Sequence, residues 1–350
     1  MHVGFVIAGE IDAGSGGFYY DRRLKTRLEA RGHDVTVVSL PRGSYGRQLA
    51  GNVRSGFELR KLEADLVLED GLAHPSVVLS NRRIDAPIVG LCHMLKSVAT
   101  TPRYRPLVES VERRFLESVD AAMYNSDATR TAARSLSGAE FETVVPPGRD
   151  RYDSRVTTAE IRTRAGAEPL ELLFLGNVVE RKGLETLIEG LASLTTEWRL
   201  TVVGETTIDP AHVRSIREQI REAGIENRVR FTGRLPDSAV ESRLRSAHVL
   251  AVPSRYEPFG MAHLEAMGFG CVPLATTNGG PPEFISDGES GLLVPPGDPD
   301  AIVARLEDVA DRERLASLAV GARETFDRQP TWGETLDRAV DFLEERCRDT

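Results

Sequence analysis

The sequence predicts an α/β protein built as two Rossmann-like, doubly wound domains that face each other across a cleft. Three observations carry this expectation. Short apolar runs alternate with helical patterns along most of the chain, as in a mostly parallel sheet with crossover helices. The alternation lapses in a polar stretch, residues 152–169, and then restarts. Finally, 350 residues with 41% hydrophobic content exceed what a single core usually organises.

In the first half, residues 3–8, 35–40, 66–68, 88–91 and 121–124 read as strands, with helices over 19–31 and 107–117. Arg31-Gly32-His33-Asp34 carries the glycine that ends a helix and turns the chain into the next strand. Tyr124-Asn125-Ser126-Asp127 reads as a strand end and a helix cap. Past Val144-Val145-Pro146-Pro147-Gly148, the polar stretch 152–169 reads as the link between domains. The second half offers strands at 170–175, 200–203, 229–232, 249–252 and 272–275. Helices are expected over 184–194, 211–223, 237–247 and 261–269, and the chain closes in helices at 299–310, 312–325 and from 332 to about 346. The expected division is 1–150, 151–330 and a terminal helix over 331–350.

Composition narrows the function. Charged residues at 28% and aromatics at 6% fit an ordinary globular protein. A formal charge of −9 argues against general nucleic-acid binding. The acidity lies in the second half: 20 basic face 19 acidic residues in 1–150, but 24 face 34 in 151–350. Cys92, Cys271 and Cys347 are odd in number and widely spaced, which points to a reducing compartment without a disulfide framework. No apolar run is long enough to span a bilayer, and the N-terminus reads as a buried strand rather than a signal peptide. The expected location is cytoplasmic.

The most informative stretch is Ser254-Arg255-Tyr256-Glu257-Pro258-Phe259-Gly260-Met261-Ala262-His263-Leu264-Glu265-Ala266-Met267-Gly268. A strand runs into a turn holding Glu257, and a helix then opens near Phe259-Gly260, with Glu265 about two turns inside it. The free N–H groups of such a helix start favour phosphate or sugar oxygens. Carboxylates on either side suit a ligand rich in hydroxyls, since each can accept from two neighbouring ones. Taken alone, that spacing also describes two solvated glutamates. A second stretch, Leu173-Phe174-Leu175-Gly176-Asn177-Val178-Val179-Glu180-Arg181-Lys182-Gly183, reads as strand, glycine turn, basic pair and helix start. There a lysine can meet a diphosphate as a point charge while turn amides line the same anion.

Ala13-Gly14-Ser15-Gly16-Gly17-Phe18 follows the first strand, where close backbone approach to a ligand is useful. A nicotinamide oxidoreductase would carry its fingerprint at this point. The spacing is not a full Gly-x-Gly-x-x-Gly, however, and strand two ends in Ser39-Leu40-Pro41 without the acid that holds an adenine ribose. His93 ends an apolar strand, a position compatible with a structural or a reactive histidine. Asp298-Pro299-Asp300 reads as a helix cap rather than a metal motif. Lys96, Arg103, Arg105, Arg113 and Arg114 gather in and beside one first-domain helix. They form a solvated face or a contact with lipid phosphates of an anionic membrane.

Ser-Arg-Tyr-Glu-Pro-Phe-Gly followed by Glu-Ala-Met-Gly-Phe-Gly resembles the donor-site signature of retaining glycosyltransferases of family 4, which have the GT-B fold. Asn278-Gly279-Gly280-Pro281-Pro282-Glu283 and Asp287-Gly288-Glu289-Ser290-Gly291 are similar to the same family. The resemblance covers nearly the whole chain and is most specific between Leu173 and Gly297. It implies transfer of a sugar from a nucleoside-diphosphate donor, bound by the second domain, to a glycan, lipid-linked or small-molecule acceptor on the first, with anomeric configuration kept. Lys182, helped by Arg181, would stabilise the leaving diphosphate, with the backbone of Phe259, Gly260 and Met261 sharing that task. Gly176 and Asn177 would belong to the phosphate-binding element. Glu257 would hold donor-sugar hydroxyls, Glu265 the nucleotide ribose, and His93 would face the donor sugar. Gly16 and Gly17 would lie opposite the phosphates, near the acceptor. The family commonly has arginine where this chain has Asn177, and Arg181 is the neighbouring guanidinium. No metal and no cofactor is implied, the last helix is implied to return to the first domain, and peripheral work at the inner membrane face is compatible. A nucleotide-sugar epimerase of the same fold, or a non-catalytic sugar-nucleotide-binding subunit, would share the donor motifs.

Overall fold

A computed structural model describes residues 1–12, 14–52, 59 and 62–348; Ala13 of the first glycine loop lies outside them. The chain forms two compact units, one of Met1–Gly148 with Pro330–Thr350 and one of Arg149–Gln329.

The first unit holds a six-stranded sheet of β1 (His2–Ala8), β2 (Asp34–Leu40), β3 (Leu66–Asp70), β4 (Ile88–Cys92), β5 (Ala121–Tyr124) and β6 (Phe141–Val144), in the order β2-β1-β3-β4-β5-β6. Every pairing is parallel. β3, β4 and β5 are buried throughout, which is why such strands read as unbroken apolar runs. β3 continues two residues past its apolar stretch into two buried acids, each held through one carboxylate oxygen. Glu69 accepts from Asn81 at 2.9 Å, and Asp70 accepts from the Leu72 amide at 3.0 Å.

The helix expected from residue 19 begins earlier, spanning Gly16–Ala30. Ser15 caps it by accepting from the Phe18 amide at 3.4 Å, so Gly16 and Gly17 form its first turn rather than a free loop. The terminal helix Trp332–Arg348 belongs to this unit. Thr331 and Glu334 form a reciprocal cap at its start. Trp332 is fully buried, with the rings of Tyr19 and Tyr20 each edge-on at 5.4 Å. Farther along, Arg27 donates to both carboxylate oxygens of Asp337 at 2.5 Å.

The second unit repeats the design with β7 (Leu170–Leu175), β8 (Trp198–Val203), β9 (Val229–Gly233), β10 (Val249–Ala251), β11 (Val272–Thr276) and β12 (Leu292–Val294). Their order is β12-β11-β10-β7-β8-β9, again all parallel. The polar stretch 152–169 is not a linker. It contains the helix Thr158–Ala165, started by a Thr157–Glu160 capping box and seated in the core through Ile161 and Ala165. The chain passes between units at Gly148–Arg149 and again at Gln329–Pro330.

Strand order reverses between β1 and β3 in one sheet and between β7 and β10 in the other. Ligands of doubly wound sheets sit outside the carboxyl ends of strands at such points.

Candidate functional site

β7 and β10 are hydrogen-bonded neighbours, so the loops that follow them leave the second sheet side by side. After β7 come Gly176, Asn177 and the turn Glu180–Lys182; after β10 come Ser254–Glu257 and the helix Met261–Gly268. The loops are joined at several points. The Arg255 amide donates to the Arg181 carbonyl at 2.8 Å, and the Arg255 guanidinium reaches Glu180 and Glu185 at 2.5 and 3.1 Å. Gly183, at φ +69°, lies so close that a Cβ would fall 2.2 Å from the Pro253 carbonyl oxygen. Only glycine allows that approach.

Lys182 Nζ donates to Glu257 Oε2 at 2.6 Å, and Ser254 Oγ donates to the same oxygen at 2.9 Å. Arg181 Nη1 stands 3.8 Å from it and donates to the Tyr256 carbonyl at 2.7 Å. Burial alone would push the Glu257 carboxyl up, but Lys182 and then Arg181 outweigh it and bring its pKa down to about 2. Burial also draws the Lys182 ammonium below its ordinary value, against the pull of Glu257. We read the group as ionised, two cations sharing one carboxylate. One net positive charge therefore remains beside a helix start whose first amides have no partner within the helix.

The backbone of Glu257 is held from the far side. Its amide donates to the Asn278 carbonyl at 3.1 Å, and its carbonyl accepts from Gly280 at 2.9 Å. Gly279, at φ +115°, leaves no room for a side chain, since a Cβ would lie 2.0 Å from the Glu257 carbonyl oxygen. Gly279→Ala is expected to lower stability by roughly 1–3 kcal/mol or more and to displace Glu257; urea denaturation of the variant measures it.

The other residues singled out in this unit fall around that group. Gly176 lies along the lysine stem, with its Cβ position 3.5 Å from Lys182 Cε. The Asn177 carbonyl accepts from Val179 at 3.0 Å, while its side chain makes no hydrogen bond among the described residues. Gly260, at φ +103°, opens the helix, and Met261 is its first residue. Phe259 is buried against Phe284, so its side chain is taken up in packing. Glu265, in the second turn, is 6% exposed and accepts from Arg151 Nη1 at 3.0 Å. His263 is buried beside these groups and kept neutral by burial, with a pKa near 4.

In the other unit, Gly17, which follows β1, and His93, which follows β4, meet beyond the carboxyl ends of the strands, the Gly17 Cβ position being 3.3 Å from His93 Cδ2. His93 Nε2 bonds the buried Asp21 at 2.7 Å. Burial opposes charge on that ring, but Asp21 and then Asp70 overcome it, so its pKa is raised. Gly16 is the neighbouring first residue of the helix. Asp298 caps the helix Pro299–Asp308 by accepting from Ala301 at 2.9 Å. No cluster of three or more potential metal ligands occurs among the described residues. Lys96, Arg103, Arg105, Arg113 and Arg114 are all exposed, beside the exposed Tyr104 and Leu107. No described helix is long and apolar enough to cross a membrane.

Sequence reasoning passed over three residues that the structure places at these groups: Ser254, Arg151 and Asp21. Ser254 stands within the Glu257 stretch and was within reach. Arg151 and Asp21 lie far along the chain from their partners, and no local pattern marks them.

Comparison with known proteins adds three findings. Residues 158–324 match the family model described as glycosyl transferases group 1. The D-inositol 3-phosphate glycosyltransferase of Xylanimonas cellulosilytica is 31% identical over 293 residues, 77% of this chain and 69% of that protein. Among solved structures, sucrose-phosphate synthase from Thermosynechococcus elongatus superposes with a TM-score of 0.86 at 21% identity, over 100% of both chains. Anabaena HepE, solved in complex with UDP-glucose, superposes with a TM-score of 0.75 at 20% identity, over 99% of this chain and 100% of that one. These likenesses show the GT-B fold.

Proposed function

Since this chain belongs to the glycosyl transferases of group 1, we propose that it moves a sugar from a nucleoside-diphosphate donor to a hydroxyl-bearing acceptor with retention of anomeric configuration. The observation that carries this reading is the Lys182–Glu257–Arg181 group beside the helix start at Gly260. When the bond from the anomeric carbon to the diphosphate oxygen breaks, that oxygen gains negative charge. A surplus cation and fixed amides stabilise it without reorganising. Arg181 supplies the guanidinium that Asn177 lacks. Glu257 carries both of its hydrogen bonds on Oε2, leaving Oε1 to accept from sugar hydroxyls. Glu265, further along the helix, takes the ribose. The cations and amides neutralise the diphosphate without a metal ion. HepE was crystallised with UDP-glucose, which makes uridine donors the first to try. His93 faces the donor sugar, Gly16 and Gly17 serve the acceptor side, and for a lipid-linked acceptor the exposed arginines around Tyr104 meet its phosphate at the inner membrane face.

A thermal-shift series with UDP, GDP, ADP and their sugar conjugates, with and without EDTA, tests the donor site. A ligand that binds only the folded state raises Tm by mass action, and one nucleotide series is expected to do so regardless of EDTA. No shift with any of them removes the proposal, and a shift abolished by EDTA removes its metal-free part. Proton NMR of the first product anomer reads the stereochemistry.

A further inference from the structure

Glu265 lies in the interior of its helix, 6% exposed. A carboxylate there, past the helix's first turn, gains little from the helix N-terminus. Burial raises its pKa, and Asp237 adds to the rise; the force that opposes both is Arg151. The Arg151 guanidinium is divided between two acids. Nη1 donates to Glu265 Oε1 at 3.0 Å and Nη2 to Asp237 Oδ1 at 2.9 Å, while its plane lies over the Tyr152 ring at 4.9 Å. With its second arm tied to Asp237 and its face on Tyr152, it stays in place when Glu265 takes another partner.

Arg151 occupies Oε1 alone. A carboxylate offers about four lone-pair sites, so a vicinal diol can be accepted at Oε2 and the free side of Oε1 without displacing the guanidinium. That works only while Glu265 is ionised. Once protonated, it turns one acceptor into a donor and meets two hydroxyls with the wrong pattern.

We propose that Arg151 is a positioning residue that keeps Glu265 oriented as an acceptor-only carboxylate, and so gives the site its preference for a ribose diol over 2′-deoxyribose. The inference rests on the reading of Glu265 as the ribose-binding residue. Among the described residues, the charged groups that act on Glu265 are Arg151 and Asp237, so removing Arg151 takes away the group that opposes burial and moves the carboxyl further up. Raising the pH then restores the carboxylate, which gives the test its sign.

The experiment is calorimetric titration of the full-length protein with UDP, GDP and ADP, and with the 2′-deoxy form of whichever binds, from about pH 6 to about pH 9. Wild type is expected to prefer the ribonucleotide by roughly 10-fold, the worth of one well-made hydrogen bond to a charged group. Arg151→Met should bring that preference close to unity at neutral pH and recover part of it at the alkaline end. Arg151→Lys should keep an intermediate preference and substitutes as the readout if the methionine variant does not fold. A preference that survives unchanged at every pH in both arginine variants overturns the proposal. A preference that survives in Glu265→Gln instead overturns the assignment of ribose to Glu265, as does a failure of every nucleotide to bind wild type.

Discussion

Lys182→Ala is expected to lower kcat by roughly 10²- to 10³-fold, the usual cost of deleting one preorganised charge partner of a departing oxyanion. The fold should survive, because Glu257 keeps Ser254 at 2.9 Å and Arg181 at 3.8 Å when the lysine is gone. KM for the donor should change much less than kcat, since the charge on the diphosphate grows as the bond breaks. Steady-state kinetics against donor concentration, with circular dichroism as the control for folding, decides this. A variant with wild-type kcat would remove Lys182 from the chemistry.

Removing the carboxylate has the opposite profile. Glu257→Gln leaves two cations without their shared counter-ion, with Lys182 deep in the group. Breaking a buried pair from one side costs roughly 3–5 kcal/mol, and urea midpoints should fall accordingly. The pH dependence follows from the depressed carboxyl. The folded pKa is about 2, against roughly 4.3 in an unfolded chain. The stabilisation is therefore complete above the unfolded value and is lost as pH falls through the folded one, amounting to about 3 kcal/mol at neutral pH. Wild type should lose this contribution between roughly pH 4.5 and pH 2, and Glu257→Gln should show a flatter acid limb. Identical acid limbs would mean that the carboxylate is not held by the two cations.

Much of the fold was legible because parallel strands buried on both faces announce themselves as apolar runs, as β7 and β5 do. What was not legible has specific causes. β6 is an edge strand without one buried residue, its apolar pattern broken by Glu142 and Thr143, and β12 is an edge strand of three residues shut between Gly291 and Pro295. β3 hides its last two residues because Glu69 and Asp70 break the apolar run, and the groups that meet one oxygen of each, Asn81 and the Leu72 amide, lie outside the strand. The helix Thr158–Ala165 was obscured by a polar composition, although Thr157 and Glu160 spelled its cap. In the site, Glu257, Glu265 and Lys182 stood out from their local turns and helix starts. The bond between Lys182 and Glu257 could not be read from either stretch, because it exists only where β10 lies beside β7. The same holds for Arg151 with Glu265 and for Asp21 with His93. Strand order makes those pairs, and strand order is a property of the finished sheet.

The return of the last helix to the first unit has a consequence for how the protein is born. Gly148 approaches the Trp332 backbone so closely that a Cβ would lie 2.1 Å from its amide nitrogen, and Trp332 fills the space beside Tyr19 and Tyr20. On the ribosome, the residues that begin this core emerge before Arg149–Gln329, but the tryptophan that completes it emerges after them. All of Arg149–Gln329 is made in between, a delay of roughly 10–40 s at ordinary elongation rates. The unit encoded second is thus the first with every residue it needs. The unit encoded first must wait, with an aromatic socket open, until Trp332 has been made.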